Sequence, residues 1–163
     1  MPRRPGNQFW ITILRAGLFV GTFDILAAFI KYYISTYKNP LNVLTFVASG
    51  VFGKKASTTG SSMMIWGAVF HFVIAMGFTL LFFIIYPVLI KFLKSKVLFG
   101  ILYGIFIWIV MNLLVLPLTN APPLSMNVNQ IIIGSLILIT IIGLPLSFMA
   151  GKYYSESHAK NLT

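Results

Sequence analysis

Two ionisable side chains, Asp24 and His71, stand inside long apolar stretches of the sequence. A charge in the hydrocarbon of a bilayer costs at least ~2.5–3.5 kcal/mol, so each residue must be neutral, hydrated or paired. Intramembrane ionisable residues often mark ion or proton paths, and histidine changes its charge near physiological pH. The pair therefore has two interpretations: a protonatable Asp–His pair in a cavity or ion path, or a hydrogen-bonded cluster that holds the helices in register.

Two further polar residues are predicted at a similar depth. Counting 1.5 Å per residue from the middle of each apolar stretch, Asp24 lies about 4 Å and His71 about 7 Å toward the outer side. Asn112 and Ser135 come out at about 8 Å and about 7 Å by the same count. We expect these four residues to form one polar layer. The packing interpretation is the simpler of the two, because a transport path needs more polar lining than four side chains.

Other kinds of chemistry find little support in the sequence. The chain has no cysteine, which excludes a thiolate metal site and a nucleophilic thiol. His158 lies in the C-terminal tail, so only His71 could bind a haem iron within a span, and no cluster of ligands indicates zinc. No serine stands with a histidine and an acid in a recognisable hydrolase motif. We therefore predict neither enzyme activity nor a cofactor.

The elements that must position these residues are membrane spans. Of the 163 residues 58% are hydrophobic and only 9% are charged, whereas soluble domains carry about 25% charged residues. A spanning helix needs about 20 mostly apolar residues. Four stretches meet this length: 9–33, 63–89, 97–116 and 130–149. The sequence therefore predicts a single all-α transmembrane domain, a polytopic four-helix bundle.

A shorter amphipathic helix is predicted over residues 40–53, between the first two spans. Asn39 can cap its first turn, Pro40 suits its first position and Gly53 suits its end. At about 12 residues it is too short to cross a bilayer. We expect it to lie in the interface or fold back as a connector.

Small residues indicate where the spans pack, because membrane helices associate through close backbone approach. The first span carries five residues that share one helical face through spacings of four and three: Gly17, Gly21, Asp24, Ala28 and Lys31. Gly100 and Gly104 form a G-x-x-x-G motif in the third span. We expect spans one and three, the first spans of two pseudo-repeated hairpins, to pack closely.

The basic residues predict orientation. Lysine and arginine total 12 against two acidic residues, a net charge of +10, and all except Arg15 lie near the ends of the apolar runs. This placement indicates topology and contact with lipid head groups rather than nucleic acid. The side with both termini carries Arg3, Arg4, Lys91, Lys94, Lys96, Lys152 and Lys160. The other side carries Lys31, Lys38, Lys54 and Lys55. The excess predicts that both termini are cytoplasmic.

Several short motifs resemble the YagU-like bacterial inner-membrane proteins. They are the runs 17–21 (GLFVG), 99–104 (FGILYG) and 117–123 (PLTNAPP), with Lys31, and His71 in a Phe-rich span that ends at Tyr86-Pro87. The resemblance implies a small multi-span protein of the bacterial cytoplasmic membrane and no particular activity. Relatives tend to carry a second histidine near the start of the last span, where this chain has Asn129 and Gln130. A site built on two histidines is therefore not expected here.

Two hypotheses follow for function. The leading one is a non-enzymatic accessory or interaction subunit, in contact with the lipid bilayer and with other membrane proteins or with itself. The alternative is a small transporter or channel that uses Asp24 and His71 as a proton- or cation-sensitive pair. A water-accessible cavity at Asp24 would favour transport, whereas a dry, hydrogen-bonded Asp24 would favour packing.

Overall fold

The computed structural model describes residues 7–58, 60–122 and 127–159, apart from the side chains of Ser57, His158 and Ala159. Within these residues every regular element is helical, which confirms the predicted fold class. Arg3, Arg4, Lys160 and the side chain of His158 lie outside the described part. Four helices are long and apolar enough to cross a membrane: Asn7–Thr36, Ser62–Leu93, Lys96–Leu118 and Val128–Ser157. Each predicted span lies within one of these helices, and the helices extend beyond the predictions by three to ten residues.

The helices are numbered along the chain. The first is α1 (Asn7–Thr36), followed by α2 (Asn42–Phe52), the single turn α3 (Lys55–Thr58) and α4 (Ser62–Leu93). The third span consists of α5 (Lys96–Ile109), a π-helical segment π1 (Val110–Val115) and α6 (Leu116–Leu118). The fourth consists of α7 (Val128–Leu138), a second π-helical segment π2 (Ile139–Gly143) and α8 (Leu144–Ala159).

Glycine lets α1 and α4 approach each other closely. A Cβ added at Gly21 would lie 3.1 Å from the Cβ of Ala75 and 3.2 Å from the ring of Phe72. At Gly17 the nearest atoms belong to the side chains of Met76 and Thr79. The residue numbers rise on one helix as they fall on the other, so α1 and α4 form an antiparallel hairpin.

A second hairpin joins the third and fourth spans through its own glycine pair. A Cβ added at Gly100 would lie 2.8 Å from the carbonyl oxygen of Gly143, and one at Gly104 would overlap the backbone of Ile139. The expectation that spans one and three pack against each other is therefore wrong. Each glycine pair faces the other span of its own hairpin, because a small-residue motif permits close approach without specifying the partner.

The hydrophobic core fills the half of the bundle that carries the chain ends. Phe82 and Phe83 are fully buried there. The hydroxyl of Tyr103 donates a 2.6 Å hydrogen bond to the carbonyl oxygen of Phe78 on α4. Phe9, at the start of α1, contacts both Phe83 and Tyr153 near the end of α8. Both ends of the described chain therefore lie at the same end of the bundle, where buried side chains fill the core.

The short helix α2 folds back onto α4 at the opposite end. A Cβ at Gly67 of α4 would overlap the carbonyl group of Leu44, so the two backbones are in direct contact. The backbone N–H of Asn120, after the third span, donates a 3.0 Å hydrogen bond to the carbonyl oxygen of Gly50. The connector is therefore held between α4 and the loop after the third span, close to its predicted boundaries.

Both π-helical segments lie just before a proline. The N–H of Leu116 donates to the carbonyl of Met111, and that of Leu144 donates to the carbonyl of Ile139, each across five residues. Pro117 and Pro145 follow directly. Proline lacks an N–H and its ring clashes with the carbonyl four residues earlier in an α-helix. The wider turns accommodate both prolines and let the spans continue.

Candidate functional site

A cavity of about 190 Å³ lies between α1, the third span and α7, in the half of the bundle away from the chain ends. Five polar side chains from these three helices line it: Asp24, Lys31, Trp108, Asn112 and Gln130. The volume exceeds what a single water molecule needs and is below the roughly 300–1,000 Å³ of pockets for drug-sized ligands. The space suits several waters or one small solute.

Asp24 lies in the wall of this cavity, on the small-residue face of α1. Its side chain is only partly buried. Within the described part of the chain its carboxyl group takes part in no hydrogen bond and no ion pair. The imidazole of His71 is close enough to interact with it electrostatically. An acid of this kind in a membrane protein faces the bundle interior or a water-filled cavity, and here it is available to a ligand or to water.

Lys31 lines the same cavity from the same helix. It follows Asp24 by seven residues, about two turns, and so shares its face of α1. The Lys31 Nζ lies 3.8 Å from the position that a Cβ at Gly134 would occupy, so the ammonium group reaches across to α7. The one ion pair among the described residues joins Lys152 and Glu156 at the surface, so Lys31 and Asp24 are not paired.

Gly134 provides the space into which two donors project. The indole Nε1 of Trp108 lies 3.0 Å from the same Cβ position that Lys31 approaches. The indole N–H can only donate, and among the described residues it has no hydrogen-bond acceptor. A Cβ at position 134 would press on the indole, which would have to shift by a few tenths of an ångström. The glycine therefore lets two N–H donors, one of them cationic, converge at one point of the cavity wall.

Asn112 reaches the cavity from the π-helical segment of the third span. Its Nδ2 donates a 2.9 Å hydrogen bond to the carbonyl oxygen of Trp108 in the preceding turn. Its Oδ1 accepts no hydrogen bond from the described residues and is the group left for a ligand. Irregular π-helical turns recur at functional sites because they redirect side chains.

His71 has a different role in the structure. Its Nε2–H donates a 2.8 Å hydrogen bond to the carbonyl oxygen of Gly21, three residues before Asp24 on α1. The donor assignment follows from the partner, because a carbonyl oxygen can only accept. The imidazole thus lies near Asp24 but outside the cavity lining, and its hydrogen bond joins α4 to the backbone of α1.

Ser135 also lies outside the cavity lining. It is partly buried on α7, next to Gly134, and its hydroxyl forms no hydrogen bond with the described residues. The predicted polar layer is therefore divided. Asp24 and Asn112 share one cavity, His71 is bonded to the backbone, and Ser135 takes no part in either arrangement.

Three polar residues of the cavity were not predicted: Lys31, Trp108 and Gln130. The sequence predicts Lys31 on the same helical face as Asp24 and among the cations that set orientation, but not as a site residue. Trp108 precedes Asn112 by four residues, which places both on one face of a helix. Gln130 lies in the first turn of α7, where its N–H is capped by the Oδ1 of Asn127 at 2.8 Å. These spacings were present in the sequence.

No family model matches the chain, and no curated protein or solved structure matches it. The resemblance to the YagU-like proteins therefore stays a prediction. In the described residues no group of three or more histidine and acidic side chains could hold a metal ion. The chemistry available in the cavity is binding through one acid, one base and three uncharged polar groups.

Proposed function

We propose that this protein is a small membrane transporter that receives a polar solute in the cavity at Asp24. The observation that supports this proposal best is a cavity that reaches the Asp24 carboxyl, which no group of the described chain engages by a hydrogen bond or an ion pair. A residue kept only for packing would be expected in a dry, hydrogen-bonded site, because an unsatisfied charge in hydrocarbon is costly.

The closed half of the bundle favours a transporter over an open channel. Between the cavity and the end of the bundle that carries the chain ends, three aromatic side chains are almost fully buried and pack ring against ring: Phe82, Phe99 and Tyr103. A solute in the cavity could pass this aromatic layer only after the helices move. The first π-helical segment contributes Asn112 to the cavity wall, and π-helical turns are frequent at functional sites.

The orientation of the protein in the membrane is part of this proposal. We place both termini in the cytoplasm of a bacterial inner membrane, on the distribution of basic residues, so that the cavity faces the outer side. The hypothesis of an accessory or interaction subunit also stays a prediction. The exposed apolar residues on the outside of the helices are equally suited to lipid, and no specific observation favours a protein partner.

Thiol labelling tests access to the cavity directly, because the chain contains no cysteine of its own. We expect Asp24→Cys to react with a charged, membrane-impermeant thiol reagent. Phe23→Cys is the matched control, since Phe23 is 48% exposed on the outer surface of α1 at the same depth. A thiol in lipid stays protonated and unreactive, so this variant should label slowly.

Labelling from each side of sealed vesicles separates the possible roles. Reaction of Asp24→Cys from both sides would support transport through alternating access. Reaction from the outer side alone would indicate a binding cavity without passage. If Asp24→Cys labelled no faster than Phe23→Cys from either side, the carboxyl would lie in a dry site and the proposed function would be wrong.

A further inference from the structure

We propose that the solute is a small zwitterion, bound with its cationic group at Asp24 and its anionic group between Lys31 and Trp108. This inference rests on the proposed function, because it requires a cavity that admits a solute.

The anionic end of the site is defined by converging donors. The Lys31 Nζ and the Trp108 Nε1 lie 3.8 Å and 3.0 Å from one point, the Cβ position of Gly134. Neither has an acceptor among the described residues. An ammonium and an indole N–H that face one small space form a site for a carboxylate or a similar anion, since hydrogen bonds to charged groups are about twice as strong as neutral ones.

The cationic end is defined by acceptors. Among the described residues, Asp24 is the one acidic side chain that lines the cavity. Asn112 contributes an Oδ1 that accepts no hydrogen bond within the described chain. Neither group has a charged partner inside the cavity. A protonated amine, which carries only donors, complements both of them.

Occupancy by one charge alone would leave the opposite protein charge without a partner. Binding an amine satisfies Asp24 and leaves the Lys31 ammonium unpaired, whereas binding a carboxylate does the reverse. A partly buried charge without a partner is unfavourable. A zwitterion pairs with both groups and enters with no net charge.

The volume of the cavity and the relative depth of its two charged groups indicate which class of ligand fits. Its volume of about 190 Å³ suits a solute with a few heavy atoms beyond the two charged groups. Asp24 is the deeper residue, and Lys31 lies about 10 Å nearer the end of α1 at 1.5 Å per residue. In a zwitterionic lipid the phosphate lies deeper than the ammonium, which is the opposite order. The geometry therefore favours a free amino acid-like solute over a lipid head group.

Trp108 supplies a fluorescent reporter for the test. The other two tryptophans, Trp10 and Trp66, lie outside the cavity lining, so a Trp10→Phe, Trp66→Phe background reports on Trp108 alone. The full-length protein in lipid nanodiscs would be titrated with ω-amino acids from glycine to 6-aminohexanoate. Butylamine and butanoate are the singly charged counterparts.

We expect a saturable change in Trp108 fluorescence with at least one ω-amino acid. That zwitterion should bind about tenfold more tightly than either singly charged compound, because each of those leaves one protein charge without its partner. Asp24→Asn should abolish the preference over butanoate, and Lys31→Gln should abolish the preference over butylamine. Ser135→Ala, next to Gly134 but outside the lining, should behave as the parent protein.

A further variant keeps the test valid if the charge variants fail to fold. Gly134→Ala keeps both charges but places a methyl group at the point on which the two donors converge, and we expect it to weaken zwitterion binding. Equal affinities for the zwitterion and for butylamine in the parent protein would overturn the inference. If no ω-amino acid bound while Asp24→Cys still reacted with the thiol reagent, the zwitterion assignment would fail and the cavity would stand. An unreactive Asp24→Cys would instead remove the proposed function itself.

Discussion

The Nε2–H of His71 donates a 2.8 Å hydrogen bond to the carbonyl oxygen of Gly21, and this bond joins α4 to α1 one turn before Asp24. Gly21 makes the contact possible, because its missing side chain leaves room for Phe72 and Ala75 of α4. The bond and the glycine together set the distance between the two helices. They therefore determine where the Asp24 carboxyl enters the cavity.

Loss of this bond should weaken the bundle. We expect His71→Ala to lower the free energy of unfolding by roughly 0.6–1.7 kcal/mol, the range measured for hydrogen bonds between membrane helices. His71→Gln, whose amide can still donate, should lose less. Unfolding by titration with sodium dodecyl sulfate measures both variants. An unchanged midpoint for His71→Ala would show that the bond contributes nothing to stability.

Gly67 is expected to be intolerant of any side chain. In Gly67→Ala the new methyl group overlaps the backbone carbonyl of Leu44, so α2 must move away from α4. Gly77→Ala is the matched control on the same helix, because a Cβ there meets no atom within 4 Å. We expect protease to cleave near α2 much faster in Gly67→Ala and at the parental rate in Gly77→Ala. Equal rates in the two variants would contradict the observed contact.

The two hairpins should differ in their tolerance of alanine. At Gly100 an added Cβ meets the backbone of Gly143 and Leu144, which cannot turn aside, whereas at Gly17 it meets the flexible end of Met76. Overpacking of a tight contact costs about 1–3 kcal/mol. Gly100→Ala should therefore lower the unfolding midpoint clearly more than Gly17→Ala. The reverse order would mean that the second hairpin is less rigid than its backbone contacts indicate.

Tyr103 should contribute through its hydroxyl as well as its ring. Its hydrogen bond to the carbonyl oxygen of Phe78 links α5 to α4. We expect Tyr103→Phe to destabilise the bundle by about 0.6 kcal/mol or more. Tyr33, which is 54% exposed near the C-terminal end of α1, provides the comparison. Its change to phenylalanine should leave the unfolding curve in place, and a similar loss in both variants would argue against a specific role for the Tyr103 bond.

The candidate site was only partly predictable. Depth counting along each span placed Asp24 and Asn112 in one layer, and the structure places both in one cavity. The same count included Ser135, which lies beside the cavity lining, because depth does not specify the direction of a side chain around its helix. Lys31 is predicted on the packing face of the first span and among the outer-side cations, whereas its long side chain reaches from α1 to Gly134.

The sequence by itself determined the number and order of the spans, because the length of an apolar run and its fit to the bilayer are properties of the chain. It also determined the short helix near residues 40–53, through its terminal residues and its limited length. Tertiary structure alone decided which spans pair, because a glycine pair such as Gly100 and Gly104 permits close approach by any helix. It also decided that the donors on Lys31 and Trp108 meet beside Gly134, since their positions depend on three helices that are distant in sequence.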